Sequence, residues 1–382
     1  MKILKLNGDR LVTGRGSLNY IKEIEGKRIF IVTGGKSMFS NGTIDRIKNM
    51  LETSEKEYRI MSGIRKNPDT EIVNEGALEM KVFKPDTVIG LGGGSPIDAA
   101  KVMALFYEYP NLNFEDILKE PLPSVRKNIE FISIPTTSGT GAEVTKTAVI
   151  TFKDRDLKIG LKSNAFIPDI AILDPELTMS MPSNVVAETG MDAMTHALEC
   201  YINHNLDDFT ECLTRGAIMG LFEYLPISYK ENTMESREKV HNYQCIAGMA
   251  FHNVGLGMSH GISHAIGGKY GLGHGLLNGI ALPYVLHYNS KNTTVKRKLN
   301  FLAKSMGVDN LVTEVINLNK LLGIPISFKE AGIDEGDFYN DFEDLVENSL
   351  KGSTRSNPIK VHKEDMEKIL KVIFEGDMQY FD

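Results

Sequence analysis

Apolar and polar positions fall into two textures along these 382 residues, with the change near residue 182. Ahead of it lie short apolar runs, several closed by glycine-rich turns. Arg28-Ile-Phe-Ile-Val-Thr33 is such a run: it does not alternate, its β-branched residues suit a strand buried on both faces, and Gly34-Gly35-Lys36-Ser37 ends it. Further strands are expected at 58–61, 86–91, 129–134 and 169–174, with an extended start at 3–6 ahead of the turn Thr13-Gly-Arg-Gly16. Helical spacing predicts helices over 43–51 and over about 69–82, the second opening after Pro68. β-Branched residues within 145–162, around Lys153-Asp-Arg-Asp156, predict a hairpin. Strands separated by helices in this rhythm build a parallel, Rossmann-like α/β sheet.

After Pro182 the pattern turns to long helical periodicities, over 184–201, 209–225, 236–253 and beyond, with few strand signals. The expectation is an all-α half. A chain of this length exceeds what one core usually carries, so residues 1–181 are expected to form an α/β domain and 182–382 a helical one. With no repeats, low-complexity segments or flexible linker between them, the halves are expected to pack tightly around a cleft.

Candidate chemistry is densest in the helical half. In Glu188-Thr-Gly-Met-Asp192-Ala-Met-Thr-His196-Ala-Leu-Glu199 a carboxylate and an imidazole stand four residues apart, so a helix projects both from one face. The surrounding residues are apolar, and a buried charged Asp192 needs a partner such as a metal. His260 and His264 repeat the spacing, and Gly273-His274-Gly275 sets another histidine in a loop where the backbone can approach closely. Asp192, His196, His260 and His274 form a set of three nitrogens and one oxygen that suits Fe(II), Zn(II) or another divalent transition metal. Taken singly, each of these residues reads equally well as a core or surface side chain.

The α/β half offers two loops. The strand at 86–91 runs into Gly92-Gly93-Gly94-Ser95-Pro96-Ile-Asp98-Ala-Ala-Lys101, with proline where the first helical turn begins. Glycines admit a pyrophosphate close to the backbone, and the helix N-terminus favours its charge. The spacing matches neither G-x-G-x-x-G nor G-x-x-x-x-G-K-[ST], and a tight structural turn reads the same way. Pro135-Thr136-Thr137-Ser138-Gly139-Thr140-Gly141 follows the strand at 129–134, so both loops lie at strand carboxyl ends, where one dinucleotide would bind.

Composition narrows the partners. A net charge of −7 without a lysine- or arginine-dense run argues against nucleic acid and anionic membranes as partners. The N-terminus lacks the apolar core of a signal peptide, and no apolar run approaches the ~20 residues of a membrane span, so a cytoplasmic protein is expected. Cys200, Cys212 and Cys245 have no paired spacing, fall in apolar helical pattern and read as small buried hydrophobes in a reducing compartment.

Together, Gly92–Lys101, Pro135-Thr-Thr-Ser-Gly-Thr-Gly-Ala-Glu143, Asp192-Ala-Met-Thr-His196-Ala-Leu-Glu199 and the block from Gly255 through His274-Gly-Leu-Leu-Asn278 to Pro283 resemble the iron-containing, or group III metal-dependent, alcohol dehydrogenases, butanol dehydrogenases among them. The resemblance runs nearly the whole length and implies a dehydroquinate synthase-like architecture with the same four metal ligands. It puts Gly93, Gly94 and Ser95 at the cofactor pyrophosphate and Asp98 near the nicotinamide end. Thr136, Thr137 and Thr140 would line the nucleotide, Lys158 would reach a ribose, and His264 would lie beside nicotinamide and substrate. Departures are Ala142 where serine is common, Gly273 where proline is common, and Asn357-Pro358-Ile359, which lacks the arginine often found after Asn-Pro.

The implied reaction interconverts primary alcohols and aldehydes in a homodimer, with Fe(II) in the cell and Zn(II) accepted. Members using NAD often carry Asp where Gly34 stands; here Gly35, Lys36 and Ser37 offer an amide, an ammonium and a hydroxyl, so NADP(H) is expected over NAD(H). A zinc-dependent polyol dehydrogenase of the same fold and a non-catalytic metal- or nucleotide-binding protein are the alternatives, separated from this one by whether butanal is reduced.

Overall fold

Every residue of Thr87–Gly92 is buried, because strands flank it on both sides and helices cover both faces. This run is β4 of a six-stranded, wholly parallel sheet that also contains β1 (Arg10–Thr13), β2 (Arg28–Thr33), β3 (Glu57–Met61), β5 (Glu130–Pro135) and β8 (Ile170–Leu173), in the order β1-β8-β5-β4-β2-β3. The remaining strands, β6 (Thr147–Phe152) and β7 (Leu157–Lys162), pair as a separate antiparallel hairpin. The computed structural model describes residues 3–153 and 157–381, so the hairpin's expected tip at 154–156 lies outside the described residues. Contacts divide the chain into two units, Met1–Met181 and Pro182–Asp382.

In the first unit the period of two along each strand separates two cores. Phe30, Val32, Val88 and Phe131 point to one face, against helices α3 (Thr70–Phe83) and α4 (Gly94–Glu108) and the hairpin. Ile29, Ile31, Ile89, Leu91, Ile132 and Ile134 point to the other, with Ile44, Ile47 and Leu51 of α2 (Thr43–Thr53). A four-residue helix, α1 (Ser37–Ser40), precedes α2. One expectation fails: residues 3–6 form no strand, and β1 begins at Arg10. An edge strand paired only to β8 does not have to be apolar, and Arg10 and Leu11 are exposed.

The sheet order has a reversal. From β2 the chain steps outward to β3, then crosses to the other side of β2 for β4 and continues to β5. The ends of β2 and β4 therefore flank a topological switch point, the place where open α/β sheets bind ligands.

The second unit is helical throughout its described residues: α5 (Ser183–Ile202), α6 (Asp208–Lys230), α7 (Met234–Val254), α8 (Met258–Tyr270), α9 (His274–Asn289), α10 (Thr293–Ser305), α11 (Leu311–Leu322), α12 (Glu335–Asn340), α13 (Phe342–Ser349) and α14 (Lys363–Glu375), with short 3-10 turns. α5 is its central helix, buried along nearly its whole length and packed against α6, α7 and α9. Glycines set the closeness: a Cβ on Gly190 would lie 2.3 Å from Leu225 of α6. Cys200 and Cys245 are buried as expected, whereas Cys212 lies exposed on α6. Among the described residues no helix is long and apolar enough to cross a membrane.

Candidate metal centre and nucleotide loops

Three helices bring the expected ligands of the second unit to one point. Asp192 and His196 lie one turn apart on α5, His260 stands in the first turn of α8, and His274 is the first residue of α9 rather than part of a loop. Gly275 makes that start possible: a Cβ there would come 2.1 Å from the carbonyl oxygen of Glu188 and 3.2 Å from Cβ of Asp192. Bare backbone thus lets α9 press against α5 and faces His274 toward Asp192.

Asp192 Oδ1 is the common centre. It lies 3.9 Å from His196 Nε2, 3.8 Å from His260 Nε2 and 3.7 Å from His274 Nε2. Donor atoms of Asp192, His260 and His274 all fall within 4.8 Å of one another. Ligand atoms around a tetrahedral divalent ion, at about 2.0–2.2 Å from it, stand about 3.4 Å apart. A small contraction of these residues meets that spacing, so the donor set fits a divalent metal. His196 flanks the group with its ring stacked between Phe251 (4.2 Å) and His260 (4.7 Å).

The electrostatics suit a cation. Burial works to raise the Asp192 carboxyl, but the neighbouring His196, His274 and His260 outweigh it and hold Asp192 below the usual carboxylate value. Burial, with His196 and His274 beside it, holds His260 well below the ordinary imidazole value, so the ring is neutral, the form in which imidazole ligates. Only His274 is partly open, its side chain 38% exposed.

Two further residues join the cluster without having been expected there. The Glu199 carboxylate sits 2.7 Å from His260 Nδ1, and burial pushes it up to about 7. Asn278 Nδ2 donates to Asp192 Oδ1 (2.8 Å), stands 3.2 Å from the Nε2 atoms of both His260 and His274, and its Oδ1 accepts from Ser263 Oγ (2.7 Å). Both are legible in retrospect: Glu199 follows His196 by three residues and Asn278 follows His274 by four, each one helical turn along the same face. His264 is exposed on α8 and its ring stacks on His274 at 4.8 Å.

In the first unit the two glycine-bearing loops touch. A Cβ on Gly93 would meet Thr137 Oγ1 at 3.2 Å, one on Gly94 would meet Thr140 Cγ2 at 3.0 Å, and Thr136 N–H donates to Gly92 O. The loops after β4 and β5 therefore form one continuous surface beside the switch point. Ser95 Oγ accepts from Asn67 N–H (3.3 Å). Asp98 accepts from Val149 N–H (3.0 Å) and lies 3.6 Å from the buried ammonium of Lys101, which also donates to the carbonyls of Thr145 and Thr147. Lys158 stands on β7, its ammonium pKa lowered by burial.

The loops after β2 and β3 are tied by Gly63 N–H to Gly34 O (2.9 Å) and Ile64 N–H to Thr33 O (3.2 Å). Between them is an open depression of about 620 Å³ lined by Gly35, Lys36, Phe39, Ser40, Ser62 and Gly63, with no acidic side chain in its lining. Gly35, Lys36 and Ser37 are exposed. A Cβ on Gly34 would meet only ordinary contacts, 3.6 Å from Pro96 and 3.7 Å from the carbonyl oxygen of Ile64.

Similarity to known proteins spans both units. Residues 8–175 match the family model for iron-containing alcohol dehydrogenases, and residues 186–374 match that for the C-terminal part of the Fe-containing alcohol dehydrogenase family. An NADPH-dependent butanol dehydrogenase of Clostridium saccharobutylicum is 40% identical over 375 residues, covering 95% of this chain and 96% of that one. An aldehyde-alcohol dehydrogenase of Streptococcus pneumoniae is 38% identical over 365 residues; the match takes in 87% of this chain but 41% of that longer one. Among solved structures, the iron-containing alcohol dehydrogenase of Thermococcus thioreducens superposes with a TM-score of 0.92 at 30% identity, over 98% of this chain and 100% of that one.

Proposed function

The chain belongs to the iron-containing alcohol dehydrogenase family, and from that premise we propose that it interconverts primary alcohols and their aldehydes at a divalent metal held by Asp192, His196, His260 and His274, using NADP(H) in preference to NAD(H). The observation that carries the reading is the convergence of three imidazole Nε2 atoms on Asp192 Oδ1. Fe(II) is the metal proposed for the cell; a site of three imidazoles and one carboxylate without thiolate binds Zn(II) at least as tightly in vitro.

A divalent ion in this set supplies Lewis acidity, which makes an alcohol hydroxyl acidic in one direction and an aldehyde carbonyl electrophilic in the other, while the nicotinamide supplies or accepts the hydride. The chain's own part is to hold, orient and pass protons. Burial keeps the Asp192 and His260 side chains away from bulk water, so their donor atoms stay fixed. His264, exposed and stacked on His274, can take the proton of the hydroxyl and hand it to solvent. Gly93, Gly94 and Ser95 would receive the pyrophosphate at the start of α4, with Thr136, Thr137 and Thr140 along the nucleotide, Asp98 toward the nicotinamide and Lys158 at a ribose.

The NADP(H) preference rests on the depression after β2 and β3. It offers the Gly35 amide and the Lys36 ammonium, with the Ser37 hydroxyl adjacent, and no carboxylate to repel a 2′-phosphate. The similar Clostridium enzyme is named for NADPH. One charge-assisted contact of about 1.5–3 kcal/mol sets a preference of roughly tenfold or more. The test is kcat/KM for NADPH and NADH at saturating butanal, in wild type and Gly34→Asp. NADPH should be favoured, and the substitution, which the backbone accommodates, should move the preference toward NADH. Equal values for wild type would overturn it. The same reading makes the enzyme a cytoplasmic homodimer with a small-molecule partner only, and light scattering checks the dimer.

A further inference from the structure

Two backbone N–H groups and one imidazole nitrogen close on the carboxylate of Glu199. Oε2 takes Gly257 N–H at 2.9 Å and lies 2.7 Å from His260 Nδ1, while Oε1 takes Ser259 N–H at 2.5 Å. Gly257 is the N-cap of α8 and has no side chain with which to cap it, so the helix borrows its cap from α5. A Cβ on Gly257 would sit 3.0 Å from Glu199 Oε1, so a side chain here would press on the carboxylate. Asn357 Oδ1 accepts the intervening N–H, that of Met258, at 3.4 Å. Glu199 is 1% exposed. Burying a lone carboxylate costs several kcal/mol, and here the helix N-terminus and the two backbone donors offset part of that cost.

We infer that Glu199 is a positioning residue that fixes both the tautomer and the place of His260 for metal binding. Both oxygens of Glu199 already accept backbone N–H groups, and as an acceptor toward Nδ1 as well Glu199 places the ring proton of His260 there and leaves the lone pair on Nε2. Nε2 is the atom that faces Asp192 Oδ1. Glu199 lies seven residues after Asp192 on the same face of α5, so one helix both carries a ligand and sets the orientation of another that is 68 residues further along the chain. The inference rests on the reading of His260 as a metal ligand.

Glu199→Gln separates positioning from simple capping, because an amide has one accepting oxygen and one donating nitrogen. If its NH₂ takes the place of Oε2, it donates to Nδ1, the ring proton moves to Nε2 and Gly257 N–H loses its acceptor; if it takes the place of Oε1, it opposes Ser259 N–H and leaves the contact to His260 unchanged. The readouts are the His260 ring nitrogens by ¹⁵N NMR of the full-length, metal-free protein and the Kd for Zn²⁺ by calorimetric titration. Wild type should show the Nδ1–H tautomer. The variant should show Nε2–H at His260 and bind Zn²⁺ about 10–100-fold more weakly. An Nε2–H tautomer in the wild type overturns the inference without any substitution, which covers the case of a variant that does not fold. Unchanged tautomer together with unchanged Zn²⁺ affinity in the folded variant overturns it too. An inverted tautomer with unchanged Zn²⁺ affinity would instead remove His260 from the ligand set, and so separates failure of the metal reading from failure of this one.

Discussion

His264 and His260 lie one turn apart on α8, yet they live in different surroundings: His260 is 1% exposed and held by Glu199, while His264 is exposed and stacks on the ring of His274. The expected ligand set is complete without His264. His264→Ala should therefore keep its metal, measured by elemental analysis, while kcat falls by about 10²-fold, the lower end of what a positioned proton carrier contributes. Added imidazole should restore part of the rate. Loss of metal in step with activity would instead place His264 among the ligands. Asp192, His196, His260 and His274 could be named from spacing because each pair or its glycine frame is local in the chain. Glu199 and Asn278 could not be assigned their roles that way. The partner of Glu199 is 61 residues away and that of Asn278 is 86, and only folding brings them together.

At the scale of elements, the close approach of α9 to α5 depends on the missing side chain of Gly275. Gly275→Ala must push the Glu188 carbonyl or the helix itself aside, and such overpacking costs about 1–3 kcal/mol. The displaced start of α9 carries His274 with it, so metal content should fall together with the melting temperature. Gly216→Ala on α6 is the control: nothing lies within 4 Å of its Cβ, and helix propensity makes it neutral or stabilising by about 0.5–1 kcal/mol. If both variants keep full metal content, the close approach does not position His274. Elements of this kind were readable to different degrees. β2 was read at its observed bounds because it is buried on both faces and its apolar run is unbroken. β1 lies outside the apolar stretch at 3–6 because an edge strand needs only one bonded neighbour, so its own residues are largely exposed and carry little apolar pattern. The sheet order, and with it the switch point between β2 and β4, is a property of tertiary pairing that no local pattern encodes.

For the whole molecule, a metal bound only by the folded protein stabilises it by mass action, about 2.7 kcal/mol when free metal is a hundredfold above Kd. Chelation should lower the melting temperature, and hydrogen exchange should rise at α5, α8 and α9 while the amides of β4 keep their protection. Uniform loss of protection along the chain, or none, would contradict a metal held by those helices alone. The parallel sheet also sets a timetable for synthesis. β1 pairs only with β8, and the Asp174 carboxylate that follows β8 accepts the N–H groups of Gly16 and Leu18, residues 158 and 156 positions earlier. At roughly 5–20 residues per second, the first strand leaves the ribosome roughly 8–30 s before its partner exists. During that interval its exposed Leu11 and its unpaired backbone are open to any other strand, so the nascent chain, rather than the finished enzyme, is where chaperone protection of this edge matters most.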